Sequence, residues 1–374
     1  MHFHSLLPVE ITTVTEDTET DLQIATAIAF LEVLLQHTKG NIFAQIQLEH
    51  LKRLRNSFSR AVDEAVVTAM LPYDENSEDP KYQEFEDHTD RLKHEYENEK
   101  VNCIKMPDGR IFEEDHHVVR NKYVIRDGKV CSASAGPLGH IKRTRKSKKA
   151  TALMMVPRTK IYKSLKEYAE RGCYVPFNEK YQAYGYTYNP NGRWDWYEIG
   201  GRWPGTFLVR DDLGYIDADI SESWKASYPA PEGYIWVDAA RKKDIAWDVM
   251  RQWHTEKVKS EYAELQAIFA TGQDIPQRCL KVTEEGILHF GECIFHKDDT
   301  LEMHLSKFDI SPAYKYPVNF ADVMASDKWH DSYQYERSNP NDLEEARRLW
   351  HRTQDDLIDA LDDETVLVSV DYHT

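Results

Sequence analysis

Apolar residues recur at helical spacing over two long stretches near the start of the chain. In the first stretch, Ile24, Ile28 and Leu31 lie three or four positions apart, which places them on one face of a helix. Residues 41–70 repeat this pattern after a break at Gly40. The two stretches together predict a helical hairpin over residues 21–70.

Alternating or short apolar runs elsewhere predict strands. Residues 2–9 and 366–372 have strand character, and several short strand-like pieces separated by turn residues lie between 103 and 131. Two further helical patterns cover residues 238–270 and 342–361. Strands and helices are therefore mixed along the chain.

The stretch 181–205 has the densest aromatic pattern. Tyr184, Tyr186 and Tyr188 alternate with small residues, and Trp194 and Trp196 continue the alternation after the turn sequence NPNG at 189–192. This pattern predicts an aromatic β-hairpin with both tryptophans on one face and Asp195 and Tyr197 on the other. We expect one face to pack in the core and the other, with Arg202 near its end, to line a site. A second hairpin, of strands 206–210 and 215–220, is predicted to follow.

These elements predict an α+β fold with one antiparallel or mixed sheet. We expect the sheet to carry the aromatic hairpin near its centre, to include the strands at 2–9 and 366–372, and to be packed by long helices. The predicted core domain comprises residues 1–20 and 71–374, with the helical hairpin 21–70 as an insertion near the start of the chain.

Composition restricts the class of protein. Hydrophobic residues make up 41% of the 374 positions, which is enough for a sizeable core. No apolar run reaches the ~18 residues of a membrane span, and the first residues lack the pattern of a signal peptide. Five cysteines without a C-x-x-C pair indicate reduced thiols in a cytosol-like compartment and argue against a cysteine-based zinc site.

The net charge of −17 opposes general binding to nucleic acid or anionic lipid, but the charge is uneven. Residues 74–100 carry eleven acids against four bases, a pattern typical of a solvated surface and, as a minor alternative, of a DNA mimic. Lys142–Lys149 contains six bases and no acid. We interpret it first as a solvated loop, and otherwise as the one segment suited to contact nucleic acid or an acidic partner.

Two interpretations of the aromatic stretch stay open, a structural sheet face and a ligand platform. In the second, aromatic rings stack on a planar group, arginines bind phosphate or carboxylate, and glycine N–H groups approach an anion. The candidate ligand-binding residues are Tyr186, Tyr188, Arg193, Trp194, Asp195, Trp196, Tyr197, Gly200, Gly201, Arg202 and Trp203.

Histidines and carboxylates suggest two candidate metal clusters. His2 and His4 share one strand face, as do Asp371 and His373, so pairing of these strands would bring four ligands together. Residues 113–117, EEDHH, form the second cluster. Structural or surface histidines remain the favoured interpretation, because no metal-binding motif is present. Phosphate-binding loops and nucleophile motifs are also missing, so the sequence identifies neither a cofactor nor a particular reaction.

Three segments carry a resemblance to a known family. They are the first strand with LPYDEN at 71–76, the core WDWYEIGGRW at 194–203, and the final strand with VDYH at 370–373. The chain resembles a family of uncharacterised proteins common in bacteriophages, prophages and other mobile elements. The resemblance covers about half of the chain, in pieces, and implies a setting in the cytoplasm of a bacterial host.

The expected function follows from that setting. We expect an accessory protein of a phage or mobile element that binds a nucleotide-like or phosphorylated small ligand in host takeover or counter-defence. One alternative is a protein that inhibits a host defence factor by direct contact. The other is a metal-dependent hydrolase or transferase using His2, His4, Asp371 and His373.

Overall fold

Helices and strands are mixed along the whole chain. A computed structural model describes residues 1–11, 14, 17–38, 41–133, 150–218, 220–221, 225–226, 228–271, 287–290, 293–306 and 314–374. Its sheets are antiparallel or mixed, which confirms the predicted α+β class. The basic run Lys142–Lys149 lies outside the described residues.

The strands and helices are numbered separately, in chain order. The strands are β1 (His2–Val9), β2 (Glu84–Asp87), β3 (Lys100–Lys105), β4 (Ile111–Glu113), β5 (Tyr123–Arg126), β6 (Lys129–Ser132), β7 (Thr151–Pro157), β8 (Phe177–Asn178), β9 (Ala183–Tyr188), β10 (Trp196–Ile199), β11 (Phe207–Arg210), β12 (Tyr234–Val237), β13 (Ala239–Arg241), β14 (Ile287–Phe290), β15 (Cys293–His296), β16 (Asp322–Ala325), β17 (Lys328–Asp331) and β18 (Val366–His373). The helices are α1 (Thr18–His37), α2 (Ile42–Arg53), α3 (Ser57–Met70), α4 (Thr89–Asn98), α5 (His117–Arg120), α6 (Leu165–Glu167), α7 (Trp247–Thr271), α8 (Leu301–Ser306), α9 (Tyr333–Ser338) and α10 (Leu343–Asp359).

The chain forms two compact units. The first comprises Met1–Asp74 with Arg193–Thr374, and the second is Glu75–Gly192. This division differs from the predicted one, because the helical segment 21–70 belongs to the same unit as the strands on either side of it. The second unit is formed instead by residues 75–192.

The main sheet of the first unit has the strand order β10-β18-β1-β16-β17, and β13 also pairs with β18. β1 is parallel to β16, and the other pairs are antiparallel. β1 and β18 pair along their full length, from His2 opposite His373 to Val9 opposite Val366. The predicted strands at 2–9 and 366–372 are therefore adjacent, at the middle of this sheet.

Hydrophobic side chains pack on both faces of the main sheet. On one face, α3 contributes Val62, Val66 and Met70 to a cluster with Leu7 and other residues of β1 and β18. On the opposite face, Leu6 and Leu367 belong to a cluster with residues of β11, β12, α7 and α10. The central strands are thus buried on both sides, as their nearly continuous apolar runs require.

The predicted helical hairpin consists of three helices. Its second helix is interrupted at residues 54–56, where Asn56 ends the connection by accepting a hydrogen bond from the N–H of Ser59 at 2.8 Å. That side-chain cap satisfies a free N–H group at the start of α3. Unlike α3, α1 has no buried residue.

The second unit contains small sheets with their own hydrophobic clusters. Its sheets have the orders β2-β9-β8 and β4-β3-β7, and β5 and β6 form a hairpin around Asp127-Gly128. Leu92 of α4 packs with Tyr168 and Val175 in one cluster, and Ile104 belongs to another.

The predicted aromatic hairpin is wrong in its pairing. β9 pairs with β2 on one edge and β8 on the other, whereas β10 pairs with β18. β2 pairs with residues 185–188, the part of β9 next to the turn, and β8 pairs with Ala183 and Tyr184. The turn itself forms, with the N–H of Gly192 donating to the carbonyl of Asn189 at 2.9 Å. The second predicted hairpin fails similarly, since β11 pairs with β12 and not with residues 215–220.

Two predictions from composition concern membrane-spanning segments and cysteines. None of their helices combines the length and apolar character needed to cross a bilayer. Cys103, Cys131 and Cys173 are free thiols.

Candidate functional site

Four polar residues of β1 and β18 share one face of the main sheet. In the antiparallel register, His2 lies opposite His373 and His4 lies opposite Asp371. Opposite side chains are neighbours, and alternate residues of a strand lie on one face. The strand pairing therefore brings together the four side chains that the sequence predicts to converge.

Asp371 is the buried carboxylate of this group. Its side chain is fully buried, and its Oδ1 lies 2.9 Å from Nδ1 of His2. Its Oδ2 accepts a hydrogen bond from the backbone N–H of Arg202 at 3.1 Å. Because a carboxylate oxygen accepts, Nδ1 of His2 carries the hydrogen of this bond, and Nε2 is not used by it.

His373 forms a second histidine–carboxylate pair beside the first. Its Nδ1 lies 2.8 Å from Oδ1 of Asp195, and the N–H of Asp195 donates to the carbonyl of His373 at 2.9 Å. The ring centroids of His2 and His373 are 5.0 Å apart. In the part of the chain that the structure describes, Nε2 of neither ring has a hydrogen-bond partner, so both are available to a ligand.

His4 has a different environment. Its ring stacks on Trp203, with ring centroids 4.8 Å apart, and is tilted against Phe320, with ring centroids 4.6 Å apart. Its Nε2 lies 3.0 Å from Oγ of Ser369. Burial lowers the pKa of His4 to about 3, which keeps the ring neutral at physiological pH. His4 is therefore a structural histidine packed beneath the other two.

Hydrogen bonds join these residues to one another and to their neighbours. His2 and Asp371 are at hydrogen-bond distance, and His4 is bound to Ser369. Throughout the described ranges, no three His, Cys, Asp or Glu side chains are grouped as ligands of a metal ion.

The second predicted cluster, residues 113–117, has structural contacts as well. Oε1 of Glu113 lies 3.2 Å from Nε of Arg158, and His116 caps α5 by accepting the N–H of Val118 at 3.2 Å. These side chains therefore hold the second unit together locally.

Gly200 and Gly201 form the bend that follows β10. Their φ angles are +73° and +51°, and a Cβ at Gly200 would lie 2.6 Å from Cγ of Asp238, while one at Gly201 would overlap Cβ of Asp371. The N–H groups of both glycines donate to backbone carbonyls, which corrects the expectation that they bind an external anion. The anion that this bend contacts is the carboxylate of Asp371, through the N–H of Arg202.

Trp196 and Trp194 do not share a face. Trp196 is 45% exposed and lies edge-on to His2, with ring centroids 5.9 Å apart. Trp194 precedes β10, packs edge-on against Tyr197 at 4.8 Å, and donates from Nε1 to the carbonyl of Met70 at 2.9 Å. The predicted alternation fails because the strand begins only at Trp196.

Within β10 the two faces differ. Trp196 and Glu198 lie opposite His373 and Asp371, on the histidine face. Tyr197 is on the other face, packed against the cluster that contains α3.

Tyr186 and Tyr188, two further candidate residues, belong to the second unit. Both lie on β9 and are exposed, and the hydroxyl of Tyr186 donates to the carbonyl of Tyr174 at 2.7 Å. They are therefore not among the residues that the main sheet brings together.

Arg193 is a structural residue. Its Nη2 lies 3.1 Å from Oδ2 of Asp322, its Nε donates to the hydroxyl of Tyr372 at 2.9 Å, and its guanidinium lies over the ring of Trp329. Burial raises the pKa of Asp322, and the charge of Arg193 counteracts that shift. The guanidinium of Arg193, which was predicted to bind a ligand, therefore binds Asp322 and Tyr372 instead.

Arg202, the second of the two predicted arginines, differs from Arg193. Its backbone is fixed by the bond to Asp371, while its side chain is exposed. Among the described residues its guanidinium has no hydrogen-bond or ion-pair partner. Of the two predicted arginines, Arg202 is thus the one able to bind an anionic ligand.

A cavity of about 1310 Å³ lies within the first unit, between β10 and α3. All four residues of β10, Trp196–Ile199, line it, and Phe58 and Asp63 line it from the side of α3, which packs on the face opposite to the histidines. An aromatic residue of the histidine face therefore also borders a space large enough for a small molecule.

Sequence reasoning missed the hydroxyl residues that support His4. Oγ1 of Thr206 lies 2.9 Å from Oγ of Ser369 and 3.3 Å from Nε2 of His4. A signal for Ser369 was present, because it is polar and shares the two-residue period of Asp371 and His373 in the same strand.

We call the residues that combine these features the histidine site: His2, Asp195, Trp196, Arg202, Asp371 and His373. Comparisons of the chain with protein-family models, with curated proteins and with solved structures each find no match.

Proposed function

We propose that this chain is an accessory protein of a phage or mobile element and binds a planar, phosphorylated small molecule, such as a nucleotide, at the histidine site. The observation that carries the proposal is the exposed indole of Trp196 beside His2, together with the guanidinium of Arg202, which has no partner among the described residues and whose backbone N–H bonds the carboxylate that holds His2. The phage setting rests on the resemblance of residues 194–203 to the mobile-element family. A protein partner stays a prediction.

The chemistry of these groups suits a nucleotide. An exposed aromatic ring stacks on a base, at about 1–3 kcal/mol per base. A guanidinium binds phosphate oxygens through two parallel N–H bonds, and imidazole nitrogens add hydrogen bonds. Because Asp371 and Asp195 hold the two imidazoles, little side-chain freedom is lost when a ligand binds.

Isothermal titration calorimetry against mono-, di- and cyclic nucleotides, with unphosphorylated nucleosides as a comparison, tests the proposal. We expect at least one phosphorylated ligand to bind, and Arg202→Ala to weaken it by about 10-fold or more, since a hydrogen bond to a charged group contributes about 1.5–3 kcal/mol. Arg210→Ala is the matched control, because Arg210 is an exposed arginine of the same unit that pairs with Asp212. Equal affinities of the two variants, or no binding by any nucleotide, would contradict the proposal.

A further inference from the structure

We infer that the histidine site also cleaves its ligand, with His2 as general base and His373 as general acid on a ribonucleotide phosphodiester. This inference rests on the proposed function, because the ligand must first bind beside Trp196 and Arg202. It assigns a reaction and a substrate class to residues that so far have only a binding role.

The arrangement of the two imidazoles supports acid–base chemistry. Each ring is held at Nδ1 by a carboxylate, at 2.9 Å for His2 and 2.8 Å for His373, which leaves Nε2 of both rings for substrate. Their centroids are 5.0 Å apart, close enough for both rings to contact one phosphodiester. Histidine is the side chain best suited to accept and donate protons near neutral pH.

The two histidines differ in ways that suggest their roles. Nδ1 of His2 donates to the fully buried Asp371, and a buried carboxylate stabilises the imidazolium that forms when Nε2 accepts a proton. His373 and its partner Asp195 are more exposed, with 39% and 35% of their side chains accessible, so water reaches His373. We therefore assign the base to His2 and the acid to His373.

The nucleophile must come from the substrate. The nearby hydroxyls belong to Ser369 and Thr206, and both are hydrogen-bonded to each other or to His4. A ribose 2′-hydroxyl is an internal nucleophile that needs only a base. In the step that we propose, the 2′ oxygen attacks phosphorus as Nε2 of His2 takes its proton. The bond from phosphorus to the 5′ oxygen breaks, and Nε2 of His373 protonates that oxygen.

The products are a 2′,3′-cyclic phosphate and a free 5′-hydroxyl, and no co-reactant is consumed. The net charge of −17 disfavours a long polyanionic substrate, whereas one exposed indole and one free arginine match a short one. The substrate class is therefore a dinucleotide or short oligoribonucleotide.

An equimolar mixture of ribodinucleoside monophosphates is the probe, and chromatography of 2′,3′-cyclic phosphate products is the measurement. Binding of the corresponding 2′-deoxy mixture is measured in parallel, because the 2′-deoxy compounds lack the nucleophile. We expect the full-length protein to cleave the ribo mixture and only to bind the deoxy mixture. His2→Gln and His373→Gln should each lower the rate by about 10²-fold or more with deoxy binding retained.

Asp195→Asn tests a positioning residue. It should lower kcat while leaving the affinity for the deoxy mixture within about 2-fold, a separation that a purely structural role would not produce. His94→Gln, a change at an exposed histidine in the second unit, is the control and should cleave at the wild-type rate.

The outcomes separate the two proposals. Binding of both mixtures without cleavage would overturn the acid–base inference and leave the proposed function intact. No binding of either mixture, together with no nucleotide binding by calorimetry, would overturn both. Cleavage that persists in both histidine variants, or equal cleavage of the deoxy mixture, would overturn the assigned residues and nucleophile.

Discussion

Three histidines on one strand pair have different roles because their neighbours differ. His2 and His373 each bind a carboxylate through Nδ1, whereas His4 lies between aromatic rings and binds a serine hydroxyl. Desolvation favours the neutral form of a base, which is why the pKa of His4 falls to about 3. The free-energy cost of protonating His4 in the folded protein should therefore be measurable as a change in the free energy of unfolding.

We predict that His4 makes stability depend on pH between about 6.5 and 3. The ordinary pKa of histidine, about 6.5, applies to the unfolded chain. Between these values the unfolded chain binds a proton that the folded chain does not, so the contribution is fully present above pH 6.5 and is lost as pH falls towards 3. Its slope reaches about 1.4 kcal/mol per pH unit.

Urea unfolding of His4→Gln as a function of pH measures this effect. The variant should show a flatter decline in the free energy of unfolding below pH 6.5 than the wild type, whereas His94→Gln should follow the wild type. His254, whose pKa burial lowers to about 4, contributes equally to all three proteins. A decline as steep in His4→Gln as in the wild type would exclude the proposed role of His4.

At the scale of elements, α3 is a part of the main core and not a surface appendage. Val62, Val66 and Met70 are buried against β1 and β18, while Val67 on the same helix is 48% exposed. Packing of an amphipathic face, more than helix propensity, stabilises such a helix.

We therefore predict that Met70→Ala lowers the free energy of unfolding by about 2–5 kcal/mol, because it removes a fully buried side chain and leaves a cavity. Val67→Ala on the same helix should change it by less than about 0.5 kcal/mol. Denaturant unfolding of both variants measures the difference. Similar small effects in the two would mean that α3 does not pack on the sheet.

The sequence predicts elements better than their partners. Period-two polarity in β1 and β18 identifies both strands and the face that carries His2, His4, Asp371 and His373, because that signal is local. The partner of β10 is not a local property. The turn at 189–192 marks a change of direction, yet β10 pairs with a strand more than 160 residues further on. The structural role of Arg193 is hidden in the same way, because its partner Asp322 is also far away in the sequence.

At the scale of the molecule, each unit has its own hydrophobic clusters. Leu92, fully buried in the second unit, packs only with residues of that unit in its cluster, and Met70 does the same in the first. Domains with separate cores can open separately.

Hydrogen exchange of Leu92→Ala should reveal this independence. We expect faster exchange of backbone amides within residues 75–192, by a factor corresponding to about 2–5 kcal/mol, and unchanged protection of β1 and β18. Met70→Ala should give the reverse pattern. Equal loss of protection in both units of either variant would show that they unfold as one.

The pairing of β1 with β18 also has a consequence for synthesis. The longest ladder of the main sheet joins Val9 to Val366, so it cannot form until nearly all of the described chain has left the ribosome. At a synthesis rate of about 5–20 residues per second, β18 is made on the order of tens of seconds after β1. Residues 75–192 are complete well before then and can fold while β1 is still unpaired. The histidine site, which needs both strands, is thus among the last parts of the protein to assemble.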